Sequence, residues 1–101
     1  MKNMEINKIQ EGNKLTIALD GRLDTITSQQ LEKELRTSIN NITELIFDFE
    51  KLTYITSAGL RVLSVAQKVM NKQGSLVIRN SQPDVKEVFE VTGLTAVMNI
   101  E

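Results

Sequence analysis

The spacing of apolar positions along this 101-residue chain changes several times, and each change marks a new element. Residues 4–9 are moderately apolar and end in the turn-rich cluster Gln10, Glu11, Gly12 and Asn13. Residues 14–20 then alternate, with Leu15, Ile17 and Leu19 on one face and Thr16 and Ala18 on the other, which predicts the second strand of an opening β-hairpin. Beyond Gly21, Leu31, Leu35 and Ile39 recur at helical intervals. Thr27 and Gln30 have capping-box spacing, so a first helix is predicted over 27–39.

Residues 44–49 form a near-continuous apolar run broken only by Asp48, the pattern of a strand buried on both faces in a sheet flanked by helices. A carboxylate in such a run has to sit near the strand end or accept backbone N–H bonds, which favours a structural role for Asp48 over direct contact with a partner. Leu52, Tyr54 and Ile55 form a second short run that returns the chain to the core, followed by the hydroxyls of Thr56 and Ser57. Over 58–71, Val62, Leu63, Ala66, Val69 and Met70 make a broad apolar face, while Arg61, Ser64, Lys68 and Asn71 fall opposite. Gly59 falls on the buried side, where a missing side chain lets the helix start approach a neighbour closely. Leu60 lies outside the stripe, which makes it a candidate partner contact.

Lys72, Gln73 and Gly74 close that helix, and residues 75–79 read as a strand. Ser81 and Asp84 have capping-box spacing around Pro83, with Val85, Val88, Phe89 and Thr92 as the inner stripe of a third helix. Gly93 stops it, and 97–100 is a last short strand. The order β-β-α-β-α-β-α-β over residues 1–101 predicts one α/β domain with a mostly parallel sheet and an amino-terminal β-hairpin.

Composition narrows the function. Twelve basic against thirteen acidic side chains give a net charge of -1 with no basic block, and 4% of residues are aromatic, so the footprint of a nucleic-acid binder is missing. There is no cysteine and no histidine, which removes thiolate chemistry, imidazole acid–base catalysis and the usual zinc ligand sets. No catalytic residue, metal or cofactor is implied, and an enzyme is disfavoured. Ser57 lacks the Gly-x-Ser-x-Gly context and base of a hydrolase nucleophile, and its turn has Gly59 as its only glycine, unlike a phosphate-binding loop. The first six residues lack a signal-peptide core and no apolar run nears the roughly 20 residues of a spanning helix, so a cytoplasmic protein with no membrane segment is expected.

What remains is a hydroxyl at the start of a helix. The first N–H groups of a helix have no intrahelical partner and carry partial positive charge, so Thr56 or Ser57 can cap it, worth about 1 kcal/mol, and an added phosphate is tolerated there. Asp24, near a strand end and a helix start, has a capping role open to it as well. The stretch Leu52-x-Tyr54-Ile55-Thr56-Ser57-Ala58-Gly59-Leu60 resembles the STAS domain of bacterial anti-sigma factor antagonists, and Gly21-x-Leu23-Asp24 looks like that family's second motif.

The resemblance implies a non-enzymatic switch. Ser57 would be the phosphoacceptor, with Asp24, Thr56, Ala58 and Gly59 around it and Leu60, Arg61 and Ser64 on the partner-binding surface. The partners implied are an anti-sigma factor serine kinase and a metal-dependent phosphatase of the PP2C type. The unmodified protein would hold the kinase and so release a sigma factor. A non-switching STAS scaffold or accessory module is the alternative. Many members carry aspartate immediately before the phosphoserine; here that residue is Thr56, which removes a charge and supplies a second hydroxyl. Being β-branched and next to strand-like Ile55, Thr56 is expected to be less exposed than Ser57.

Overall fold

A computed structural model of the chain describes residues 4–101; the first three residues, part of the amino-terminal stretch read above, lie outside the described residues. The elements are β1 (Met4–Glu11), β2 (Lys14–Leu23), α1 (Thr25–Ser38), β3 (Glu44–Ile55), α2 (Ser57–Gln73), β4 (Ser75–Arg79), α3 (Pro83–Val91), a 3-10 turn (Leu94–Ala96) and β5 (Asn99–Ile100). The strands lie in sequence order in one sheet. β1 and β2 are antiparallel, and every later pair is parallel. This is the predicted order and the predicted mixed sheet. No described helix is long and apolar enough to cross a membrane.

The alternation in β2 decides where the core lies. Leu15, Ile17, Leu19 and Leu23 join Leu31 and Leu35 of α1, Leu63, Ala66 and Met70 of α2, and Val85 and Phe89 of α3 in one buried cluster. Phe49 stacks on Phe89 with ring centroids 6.3 Å apart, which ties α3 to the same side of the sheet as the other two helices. Each fully buried aliphatic or aromatic side chain in this layer contributes about 1.5–3 kcal/mol.

The near-continuous run of β3 does not mean helices on both faces. Leu45, Phe47 and Phe49 point into the cluster, whereas Ile46 is outside it and is shielded by its cross-strand neighbours Thr16 and Val77. β3 also does not end at Phe49. It continues to Ile55 through two register shifts against β2, because Ala18 pairs with Asp48 but Asp20 with Lys51, and Gly21 pairs with Leu52 but Arg22 with Tyr54. Each shift inserts one extra residue into β3, as a β-bulge does. The buried positions there consequently run Phe49, Leu52, Ile55, three apart, while the inward positions opposite, buried Leu19, half-buried Gly21 and buried Leu23, keep a period of two. Tyr54, expected in the core, falls on the outward side and is 43% exposed.

Two capping expectations and one core expectation are also corrected. α1 starts two residues earlier than predicted, capped by Asp24 with Thr27 as the third residue of the box. α3 is capped by the backbone of Gln82, whose side chain instead donates to the Glu50 carbonyl at 2.8 Å, and the buried Ser81 hydroxyl has no partner among the described residues. Thr92 is the exposed C-cap of α3, donating to the Val88 carbonyl at 2.7 Å, and is not part of the inner stripe. The last strand spans only Asn99–Ile100. Gly74 closes α2 as expected, and the reason is contact: a Cβ there would run into the Thr43 carbonyl, which accepts the Ser75 N–H at 3.0 Å.

Candidate functional site

The parallel ladder of β2 and β3 ends with Leu23 opposite Ile55. One residue further on, each chain turns into a helix, Asp24 being the N-cap of α1 and Thr56 the N-cap of α2. The two strands thus deliver two helix starts side by side at the carboxyl edge of the sheet, the place where open α/β sheets carry their sites. The Thr56 N–H donates to the Leu23 carbonyl at 3.0 Å and so locks the second start to the first.

The first start is closed. Asp24 Oδ1 accepts from the N–H groups of Ile26 and Thr27, each at 3.0 Å, and Thr27 Oγ1 accepts from the Asp24 N–H at 2.8 Å. Thr27, 2% exposed, also donates to the Arg22 carbonyl at 2.7 Å. The Asp24 carboxyl is held below its ordinary 3.8, chiefly by the Thr27 N–H, with the Thr27 hydroxyl, the Ile26 N–H and the nearby Arg22 guanidinium adding to it against an opposing cost of desolvation. Asp24 is ionised at neutral pH and is a poor proton acceptor.

The second start is open. Thr56 makes no side-chain cap to α2; its Oγ1 leans toward the Leu23 carbonyl at 3.4 Å, a long contact. Ser57, the first helical residue, is exposed, and its hydroxyl has no hydrogen-bond partner among the described residues. Thr56 is half-buried, so it is less exposed than Ser57, as expected. Ala58 is half-buried and Gly59 fully buried. A Cβ on Gly59 would lie 2.8 Å from Leu23 Cγ and Cδ2 and 3.0 Å from Ile55 Cγ1, so the glycine is what allows α2 to start this close to the ladder end.

Of the expected partner-contact residues, Arg61 is exposed one turn below Ser57, and Ser64 is half-buried. Leu60 is corrected: it lies half-buried against the core instead of outside the apolar stripe. Two outward side chains at this edge escaped the sequence reading. Ile26 is 69% exposed beside the Asp24 cap, and Tyr54 carries the Arg22 guanidinium 4.1 Å above its ring. Placing the α1 cap at Asp24 puts Ile26 on the side opposite Leu31 and Leu35, which is the signal that identifies it.

Residues 5–101 match the STAS domain family. The chain belongs to that family. This STAS domain is 36% identical over 88 residues to BtrV of Bordetella bronchiseptica, named as a candidate anti-sigma factor antagonist, across 85% of the chain and 76% of BtrV. It is 25% identical over 99 residues to the anti-sigma-B factor antagonist of Bacillus subtilis, across 97% of the chain and 91% of the relative. Its fold superimposes on the anti-sigma factor antagonist SpoIIAA in its unphosphorylated form with a TM-score of 0.84 at 24% identity, covering 96% of this chain and 88% of that one. The phosphorylated form of Bacillus SpoIIAA gives 0.76 at 23% identity, covering 96% and 91%. By sequence this STAS domain falls among the anti-sigma factor antagonists, and its fold is that of SpoIIAA.

Proposed function

We propose that this STAS domain works by partner switching, with Ser57 as the phosphoacceptor. Unmodified, it binds an anti-sigma factor that is also a serine kinase, and a sigma factor is released. The kinase then transfers the γ-phosphoryl group of ATP to Ser57 Oγ, ADP leaves, and the hydroxyl proton passes to a base on the kinase. Asp24 positions the α1 start beside the acceptor and contributes charge, its carboxylate being already engaged by two N–H groups. A PP2C-type phosphatase removes the phosphate and restores binding.

One observation carries the reading: Ser57 is an exposed, unpartnered hydroxyl on a helix start that no side chain caps. A phosphate there adds about -1.5 to -2 charges to an interface that fitted a hydroxyl, while the helix terminus tolerates it. Release needs no large rearrangement, since about 3 kcal/mol of lost interface energy lowers affinity roughly 100-fold. The test is phosphosite mapping after incubation with ATP and each anti-sigma serine kinase of the same genome, with calorimetry on variants. Phosphate on Ser57, full affinity of Ser57→Ala and roughly 100-fold weaker binding by Ser57→Asp are expected. Phosphate chiefly on Thr56, or equal affinity of the two variants, would overturn the assignment.

A further inference from the structure

α1 and α2 run side by side across the sheet and leave an apolar groove of about 170 Å³ between them. Its walls are Leu35 of α1 and Ile39, the α1 C-cap, together with Val62, Val65 and Val69 from α2. Val65 is 52% exposed on the rim. The α2 residues Val62, Val65 and Val69 span two turns, about 10 Å, so the groove matches the length of one apolar stripe on a helix.

The unpaired charge beside this groove has one sign. α2 contains no acidic residue, and its three charged side chains are Arg61, Lys68 and Lys72. All three are exposed, and none makes an ion pair among the described residues. By contrast, the charged pair on the α1 wall, Glu32 and Arg36, is satisfied internally at 3.1 Å. Ser57, Arg61, Lys68 and Lys72 are spaced by four, seven and four residues, which puts them on one ridge of α2. Arg61 lines the groove itself, while Lys68 and Lys72 continue the ridge along the outer crest of α2, Lys68 also bordering the shallow pocket on the far side with Ser64 and Asn71. In a chain of net charge -1, an unpaired cationic ridge on the crest beside an apolar groove is a local asymmetry with a definite complement.

We infer that the α1–α2 groove docks an acidic amphipathic helix of the partner, its apolar stripe lying on Val62, Val65 and Val69 and its carboxylates facing Arg61, Lys68 and Lys72. The inference rests on the partner-switching reading for the partner's identity, and it adds an electrostatic reason for release. Phosphate on Ser57 stands at the head of the same ridge, where it neutralises part of the positive field that attracts the acidic helix.

The site can be probed without the partner. The probe is a capped peptide of about 18 residues, five helical turns, with leucines at helical spacing and glutamates elsewhere, followed by amide chemical shifts of the full chain. Saturable shifts centred on Val62, Val65, Val69 and Ile39 are expected. They should fade with added salt and be at least tenfold weaker in Val65→Glu and in the double variant Arg61→Glu, Lys68→Glu. Equal binding of a lysine-substituted peptide, or no shifts in the groove, would overturn the inference. So would concentration-dependent self-association that buries the groove, or flotation with phosphatidylglycerol-containing vesicles while the peptide fails to bind.

A second arm uses the kinase that modifies Ser57. The charge-reversed double variant should bind it at least tenfold more weakly, with its fold unchanged by circular dichroism. A kinase that binds and modifies the variant normally would defeat the groove proposal and leave partner switching intact. Absence of any Ser57 kinase, with the peptide still in the groove, would defeat the switching reading alone.

Discussion

The two helix starts at the carboxyl edge of the sheet are built alike as far as the backbone goes and are finished differently. Both follow directly on a paired strand end, Leu23 and Ile55, and both have an extended N-cap residue. At the cap, α1 has Asp24 accepting two N–H groups, and α2 has Thr56 turned toward a strand carbonyl. At the third helical position, α1 has the buried Thr27, which completes its capping box, and α2 has the buried Gly59, which can complete nothing. One start is sealed for stability, and the other keeps its N–H groups and the Ser57 hydroxyl available to a ligand or a modification. The sealed start holds the open one in place through the Thr56 N–H to Leu23 carbonyl bond.

The largest effect on this pair should come from filling the space that lets α2 start where it does. Gly59→Val pushes into Leu23 and Ile55, both buried, and overpacking of this kind costs about 2–3 kcal/mol, more than its small helix-propensity gain. Urea unfolding should register that loss, and partner binding should fall with it because the ladder end has to move. A Gly59→Val protein of unchanged stability would mean that the close approach does not set the geometry of the site.

Next in size is removal of the seal. Asp24→Ala should cost about 1 kcal/mol, the usual worth of an N-cap, whereas Asp24→Asn should keep the cap and lose only the charge. The two variants therefore separate the fold role of Asp24 from any role in the reaction with a kinase: an Asp24→Asn protein that is phosphorylated at the normal rate has a capping residue and nothing more at this position. Acid provides an independent check. Because the folded carboxyl is lowered below 3.8, the unfolded chain binds the proton first, so this contribution is complete above 3.8 and is lost as pH falls through the lowered value. Urea midpoints taken at neutral pH and below 3.8 should fall less with acid in Asp24→Asn than in the parent; identical slopes would show that the Thr27 and Ile26 N–H groups do not hold the carboxyl down.

How much of this was legible beforehand depends on whether a signal was periodic or relational. Element order, the hairpin, the parallel crossovers and the buried Gly59 all follow from local spacing, and the structure agrees with each. The tail of β3 is not legible in the sequence because its two bulges change the buried spacing to three at Phe49, Leu52 and Ile55, and a bulge is visible only against the partner strand. The α1 cap is ambiguous in the sequence because two boxes compete in Asp24-Thr25-Ile26-Thr27-Ser28-Gln29-Gln30, and the ladder end at Leu23 decides between them. The outward place of Ile26 is hidden for the same reason. A helical projection puts Leu60 outside the stripe because it does not register how far the core spreads around the first turn of α2.

The smallest effects test the open start itself. If α2 truly lacks a side-chain cap, Thr56→Ala should cost less than about 0.5 kcal/mol, well short of the 1 kcal/mol expected for Asp24→Ala. Placing phosphoserine at position 57 should then stabilise the fold by about 0.3–1 kcal/mol, because the new anion faces N–H groups that nothing else satisfies. Denaturant unfolding of the modified and unmodified proteins, side by side, reads both numbers. A Thr56→Ala loss as large as that of Asp24→Ala would show that the second start is sealed after all. Destabilisation by the phosphate would mean that release of a partner works by loosening α2, and not by changing the surface of a helix that stays folded.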